Sequence, residues 1–129
     1  ENQALRADCL PVFQKLGRQV PAQIREEMKL EDLKKQLKST TPPVVIDVRS
    51  GFEYRSGHIP GALHLPVPGL LFRHRGLPQD KKSLLVITCE HGPRAVLAKK
   101  ILGLRGFKNC ELLDGHMHAY RRKGLPLEK

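Results

Sequence analysis

Hydrophobic positions along this chain follow two rhythms. From Ala4 to Lys38, apolar and charged residues alternate at helical spacing, interrupted by Pro11, Gly17 and Pro21, which predicts two or three short helices. The best defined runs Leu30-Glu31-Asp32-Leu33-Lys34-Lys35-Gln36-Leu37, whose leucines at i, i+3 and i+7 form one apolar stripe. After the loop signal Ser39-Thr40-Thr41-Pro42-Pro43 comes Val44-Val45-Ile46-Asp47-Val48, a β-branched run of the kind buried on both faces of a parallel sheet. Ala62-Leu63-His64-Leu65 reads as a shorter strand, followed by a Pro/Gly-rich connection through Pro78.

Leu84-Leu85-Val86-Ile87-Thr88 is the clearest strand, and it runs straight into Cys89-Glu90-His91-Gly92-Pro93. Arg94 then opens a helical pattern through Val96, Leu97, Ile101, Leu102 and Leu104 that Gly106 stops. A weaker strand, Cys110-Glu111-Leu112-Leu113, and a helix from about His116 to Lys123 complete an alternating α/β order. The expected architecture is an α/β domain, a short parallel central sheet flanked by helices, over residues 29–129. A small N-terminal helical extension over residues 1–28 precedes it.

Length narrows this to one domain, since 129 residues bury roughly two-thirds of their unfolded surface in a single core. With 40% hydrophobic and 28% charged residues the composition is that of a globular protein, and no apolar run is long enough to span a bilayer. The formal charge of +10 favours anionic partners. Its basic residues are scattered among acids and only six aromatics are present to stack on bases, so neither nucleic acid nor membrane is expected as a partner. Three cysteines at wide spacing, Cys9, Cys89 and Cys110, suit neither a disulfide framework nor a zinc site, and at least one thiol is free. The first residues carry no secretory pattern and do not by themselves reveal the compartment; a cytoplasmic location is the expectation.

Cys89 stands where ligands sit in open parallel sheets, outside the carboxyl end of a central strand with the next helix pointing its N-terminus at it. A helix N-terminus and neighbouring cations stabilise a thiolate. Arg94, with Lys99 further along the helix, supplies positive charge, His91 is a second cation when protonated, and the amides of His91, Gly92, Arg94 and Ala95 can converge on a sulfur anion. Gly92 suits a turn that needs positive φ, whereas Pro93 brings no N–H and leaves the cradle one donor short. Glu90 is expected to face solvent, because its charge would oppose a neighbouring thiolate. The plain alternative is that Cys89 is a small hydrophobe ending a buried strand. Gly-Pro-Arg directly behind it is poor packing material and good anion-binding material, which favours chemistry.

Here the residues resemble the rhodanese family of sulfurtransferases, over roughly Lys29 to Leu127. Ile46-Asp47-Val48-Arg49, then Glu53, then Gly57-His58-Ile59-Pro60-Gly61-Ala62 resembles the signature DVR-x3-E-x3-GHIPGA. Cys89-Glu90-His91-Gly92-Pro93-Arg94-Ala95 is similar to the active-site loop C-x-x-G-x-R-[SA], and Gly106-Phe107-Lys108-Asn109 to the turn before the last strand. Leu113-Asp114-Gly115-His116-Met117-His118-Ala119-Tyr120 and Gly124-Leu125-Pro126 resemble L-x-G-G-x-x-A-W and G-x-P, with His116 in place of a second glycine and Tyr120 in place of tryptophan. The departure at His116 places a histidine near the pocket rim.

The resemblance implies a mechanism in which Cys89 takes the outer sulfur of a small anionic donor, thiosulfate or a low-molecular-weight persulfide. The sulfur then passes to cyanide, a thiol or a sulfur-accepting protein. Residues Glu90 to Ala95 would bind substrate, and neither a metal nor an organic cofactor is implied. Two other classes stay open: a low-activity binding or regulatory module, suggested by Pro93 and Glu90, and a phosphatase or arsenate reductase of the same fold. The latter members carry Arg six residues after Cys, whereas Arg94 follows Cys89 by five.

Four residues are expected to be structural support: Asp47 and Arg49 as an ion pair, Glu53, and His58 as a hydrogen-bonded scaffold histidine. His116 and His118 fall on different helix faces, and His116 with Tyr120 on one face makes a poor metal site. Cys110 is expected in the core. Cys9 is either a resolving thiol or a bystander, and Arg73, His74 and Arg75 are either a solvated basic loop or a guide for an anionic donor or a protein partner.

Overall fold

The computed structural model describes residues 27–70, 72 and 76–129. Five strands form one parallel sheet: β1 (Glu27–Met28), β2 (Val44–Asp47), β3 (Leu63–His64), β4 (Leu85–Thr88) and β5 (Cys110–Leu113), in the spatial order β1-β5-β4-β2-β3. The helices between them are α1 (Leu30–Leu37), α2 (Gly51–Ser56), α3 (Val67–Leu70), α4 (Pro93–Leu104) and α5 (His116–Arg122).

Strand alternation sends neighbouring side chains to opposite faces, and the β2–β4 register pairs like with like: Val45 opposite Val86, Ile46 opposite Ile87. Val45 and Val86 pack with Leu30 and Leu33 of α1, Met117 and Tyr120 of α5, and Ile59. On the other face Ile46, Leu85 and Ile87 pack with Leu70 of α3 and Ala95, Ala98 and Leu102 of α4. β4 is therefore buried on both faces along its whole length, as its unbroken apolar run requires.

Among the described residues the expected elements form, with shifts of one or two residues at their ends. One boundary differs. Glu27 and Met28, assigned from sequence to the helical extension, are an edge strand paired with Leu112 and Leu113. Met28 is buried in the α1 side of the core. A two-residue strand running into an amphipathic helix leaves no period-2 signal, so hydrophobic rhythm alone absorbs it into the helices. Residues 1–26, with Cys9 and the proposed helices, and the Arg73-His74-Arg75 segment lie outside the described residues.

The link from β2 to β3 is organised around a buried guanidinium. Arg49 is 2% exposed; its Nε donates to both carboxylate oxygens of Asp47 at 3.0 and 3.1 Å, and its Nη2 donates to Asp47 Oδ2 at 2.8 Å and to the Gly57 carbonyl at 2.7 Å. Ser50 and Glu53 form a reciprocal capping box that starts α2. His58 lies parallel to the Tyr54 ring at 3.7 Å, with its Nδ1 2.9 Å from the Tyr54 carbonyl. Asp47 and Arg49 are thus paired, and His58 is in hydrogen-bond contact with the turn before it. Asp47→Asn would strand the buried guanidinium, and we expect a loss of about 3–5 kcal/mol in urea denaturation. A loss below about 1 kcal/mol would show that the pair is dispensable.

Candidate active site

Cys89 follows β4 directly and is fully buried. The ladder between β2 and β4 ends at Thr88, so the backbone beyond it must find partners elsewhere. α5 supplies them. Met117 N–H donates to the Cys89 carbonyl at 3.0 Å, His118 N–H donates to the Glu90 carbonyl at 3.2 Å, and the Cys89 N–H donates to His116 Nδ1 at 3.3 Å. Two of the donors that a helix start leaves unmet are satisfied by the loop they hold.

The loop then turns so that Gly92 N–H donates to Cys89 Sγ at 2.9 Å. Gly92 has φ +131, a conformation that excludes ordinary L side chains, and it precedes Pro93 at the first position of α4. Of the amides expected around the sulfur, that of Gly92 makes a hydrogen bond. Ala95 is buried in the α4 side of the core, and Pro93 and His91 are exposed.

Charged residues occupy different places from those the sequence suggested. Glu90 does not face solvent: Arg121 donates to both its oxygens, and Arg49 Nη1 approaches Oε1 at 3.4 Å. Arg121 holds the Glu90 carboxyl below the ordinary range. The negative charge beside Cys89 is thus matched by two guanidinium groups from elements 41 and 31 residues away. Arg94 makes a two-point pair with Glu53, Nη1 to Oε1 at 2.7 Å and Nη2 to Oε2 at 3.0 Å. This pair joins α2 to the active-site loop, so Glu53 supports the site directly. The Lys99 charge acts on Cys110, where it favours the thiolate against burial. Cys110 is a core residue, and burial pushes its thiol up to about 11.

Sequence reasoning missed Arg121, which no motif singles out, and the contact between His116 and Cys89. Among the described residues, ligand-type atoms of Glu90, His91 and His118 lie within 4.8 Å of one another. Both Glu90 oxygens accept from Arg121, and the His91 and His118 rings lie 5.0 Å apart. An apolar groove of about 470 Å³ beside Leu33, Leu37, Val45 and Tyr120 contains no residue of the Cys89 loop. None of the described helices is long and apolar enough to cross a membrane.

The family model for the rhodanese-like domain matches residues 29–123. The chain belongs to the rhodanese-like domain family. It is 33% identical over 101 residues to a sulfurtransferase of Allochromatium vinosum, covering 78% of this chain and 92% of that protein. It is 30% identical over 118 residues to a tRNA uridine(34) hydroxylase of Yersinia pestis, covering 84% of this chain and spanning about a third (32%) of that relative's length. Among solved structures, a rhodanese-related protein of Thermoplasma volcanium superposes with a TM-score of 0.69 at 25% identity, covering 80% of this chain and 97% of that one.

Within this rhodanese-like domain the Glu53–Arg94 pair joins the two signature segments and gives a pH test. Arg94 holds the Glu53 carboxyl down to about 2, against an ordinary 4.5. Between those values the unfolded chain binds more protons, so the pair's contribution is complete above 4.5 and drains away as pH falls through about 2. The two side chains are 30% and 41% exposed, so solvent screening keeps the loss in Glu53→Gln below about 1 kcal/mol. Urea midpoints of wild type and Glu53→Gln should differ by a constant amount at neutral pH and converge in acid. A gap that persists at pH about 2 would refute the assignment.

Proposed function

We propose that this chain is a sulfurtransferase that carries a sulfane sulfur on Cys89. The observation that carries the reading is the Gly92 N–H aimed at Cys89 Sγ at 2.9 Å, on a loop that starts a helix. That donor stabilises negative charge on sulfur before and after transfer, without reorganisation at the moment of reaction. The family membership and the sulfurtransferase relative support the same reaction class.

With thiosulfate as donor, the Cys89 thiolate attacks the outer sulfur. A new S–S bond forms to Cys89, the sulfur–sulfur bond of the donor breaks, and sulfite leaves with the bonding pair. The product is the persulfide anion Cys89–S–S⁻. An acceptor nucleophile, cyanide or a thiolate, then attacks the terminal sulfur and leaves with it, returning Cys89 as thiolate. A persulfide donor follows the same course, with a thiolate as leaving group. The two half-reactions give ping-pong kinetics. Glu90 acts at a distance from substrate, through Arg49 and Arg121, while Arg94, anchored by Glu53, supplies the cation that meets an anionic donor beside the exposed His91. A thiol or a sulfur-accepting protein is the acceptor proposed for the cell.

The test is intact mass after thiosulfate and, separately, after glutathione persulfide. Wild type should gain one sulfur, ~32 Da, reversed by cyanide, and Cys89→Ala should gain none at that site. Absence of any gain with either donor on folded, reduced protein would favour a binding module that keeps the loop without the chemistry.

A further inference from the structure

His116 is the one non-glycine residue with positive φ among those described, at +55 directly after Gly115 at +73. A side chain with a Cβ is strained there, and such strain persists only where surrounding contacts enforce it. The contacts are with the Cys89 loop. Nδ1 of the buried ring accepts the Cys89 N–H at 3.3 Å, and Nε2 lies 3.2 Å from where a Cβ on residue 92 would stand. Gly92 is therefore needed for its φ and also for the room its missing side chain leaves to the imidazole.

The hydrogen bond defines the tautomer. A backbone N–H can only donate, so Nδ1 carries its lone pair and the ring proton of the neutral form is on Nε2. An imidazolium would set N–H against N–H. Burial favours the neutral ring, Asp114 on the preceding turn opposes that, and His91 on the loop reinforces it. The Cys89 amide has no strand partner beyond Thr88, and with Met117 N–H on its carbonyl both backbone groups of Cys89 are held by α5.

We propose that His116 is the positioning residue of this site: its unprotonated Nδ1 holds the Cys89 amide and thereby sets the sulfur where the Gly92 N–H meets it. The proposal rests on the reading of Cys89 as the sulfur-carrying nucleophile. His116 touches neither donor nor sulfur in this role.

Two variants separate the acceptor from the bulk of the ring. Asn places a side-chain oxygen close to the position of Nδ1 and tolerates the left-handed backbone, whereas Leu fills similar space with no acceptor. The rate of sulfur loading on Cys89 from thiosulfate is expected to fall about tenfold or more in His116→Leu, and His116→Asn to regain most of that loss. Because burial holds His116 below the ordinary imidazole range, wild-type loading should also fall relative to His116→Asn only as pH drops below about 6.5. Equal loading in wild type and His116→Leu, or no recovery in His116→Asn, would overturn the proposal.

A second measurement does not depend on activity. Nitrogen-15 NMR of the wild-type chain should show His116 with bare Nδ1 and protonated Nε2 at neutral pH, and the opposite tautomer would overturn the proposal even if His116→Leu fails to fold. Should wild type load no sulfur from either donor, the sulfurtransferase reading fails. The ring assignment and the peptide-resolved rate of Cys89 alkylation by iodoacetamide in the same variants then decide the positioning role alone.

Discussion

The chain stops being a strand at Cys89 while it is still fully buried, and much of the site answers that constraint. Past Thr88 no neighbouring strand can take the amide and carbonyl groups, and a buried backbone group left unmet costs about 1–3 kcal/mol. The partners come from α5, an element 27 residues further on. Folding the C-terminal helix and shaping the loop are therefore one event: α5 buries Met117 and Tyr120 against the sheet, and the same docking brings Met117 N–H, His118 N–H and the His116 ring to the loop. Site geometry and core packing share this origin.

Charge is arranged in two tiers around that loop. Inside, Asp47 and Arg49 are nearly fully buried and satisfy each other with several hydrogen bonds, the condition under which burying an ion pair is tolerable. Arg49 also reaches outward to Glu90, which Arg121 engages from the solvent side. Glu53 and Arg94 form a separate, more exposed pair that tethers α2 to the start of α4. The inner pair governs stability because breaking it leaves a charge without water. The outer pairs are screened, and their effect is mainly to fix where guanidinium groups point.

Local patterns made most of the fold legible, because β2 and β4 are short β-branched runs, α1 carries a clear apolar stripe, and α4 is a run of helix formers between Pro93 and Gly106, although its Val96, Leu97 and Leu104 are exposed and Ala95, Ala98 and Leu102 face the core. β1 was not legible, since Glu27 and Met28 become a strand only by pairing with β5. The site divides the same way. Cys89, Gly92, Glu53 and Arg94 follow from residue order within two signatures, whereas the partner of each charge does not. Glu90 was expected to face solvent because the only charge visible beside it was that of a thiolate; Arg49 and Arg121, 41 and 31 residues away in sequence, reverse that expectation. Nearness in sequence groups Lys99 with Arg94, whereas in the fold its charge also acts on Cys110, a partner the sequence does not show.

Pro93 looked like a defect in the sulfur cradle, since it removes a backbone donor. Its position in the fold changes that judgement. It is the first residue of α4, where the N–H has no partner within the helix and a fixed φ is already suited to helical geometry. The donor that reaches Cys89 Sγ belongs to Gly92, one residue earlier, and depends on a φ of +131 that proline does not disturb. What proline removes is freedom in the helix start that follows. A loop that must keep one N–H on one sulfur, beside a ring 3.2 Å from the missing Cβ of Gly92, loses less entropy on ordering when the next residue is already constrained.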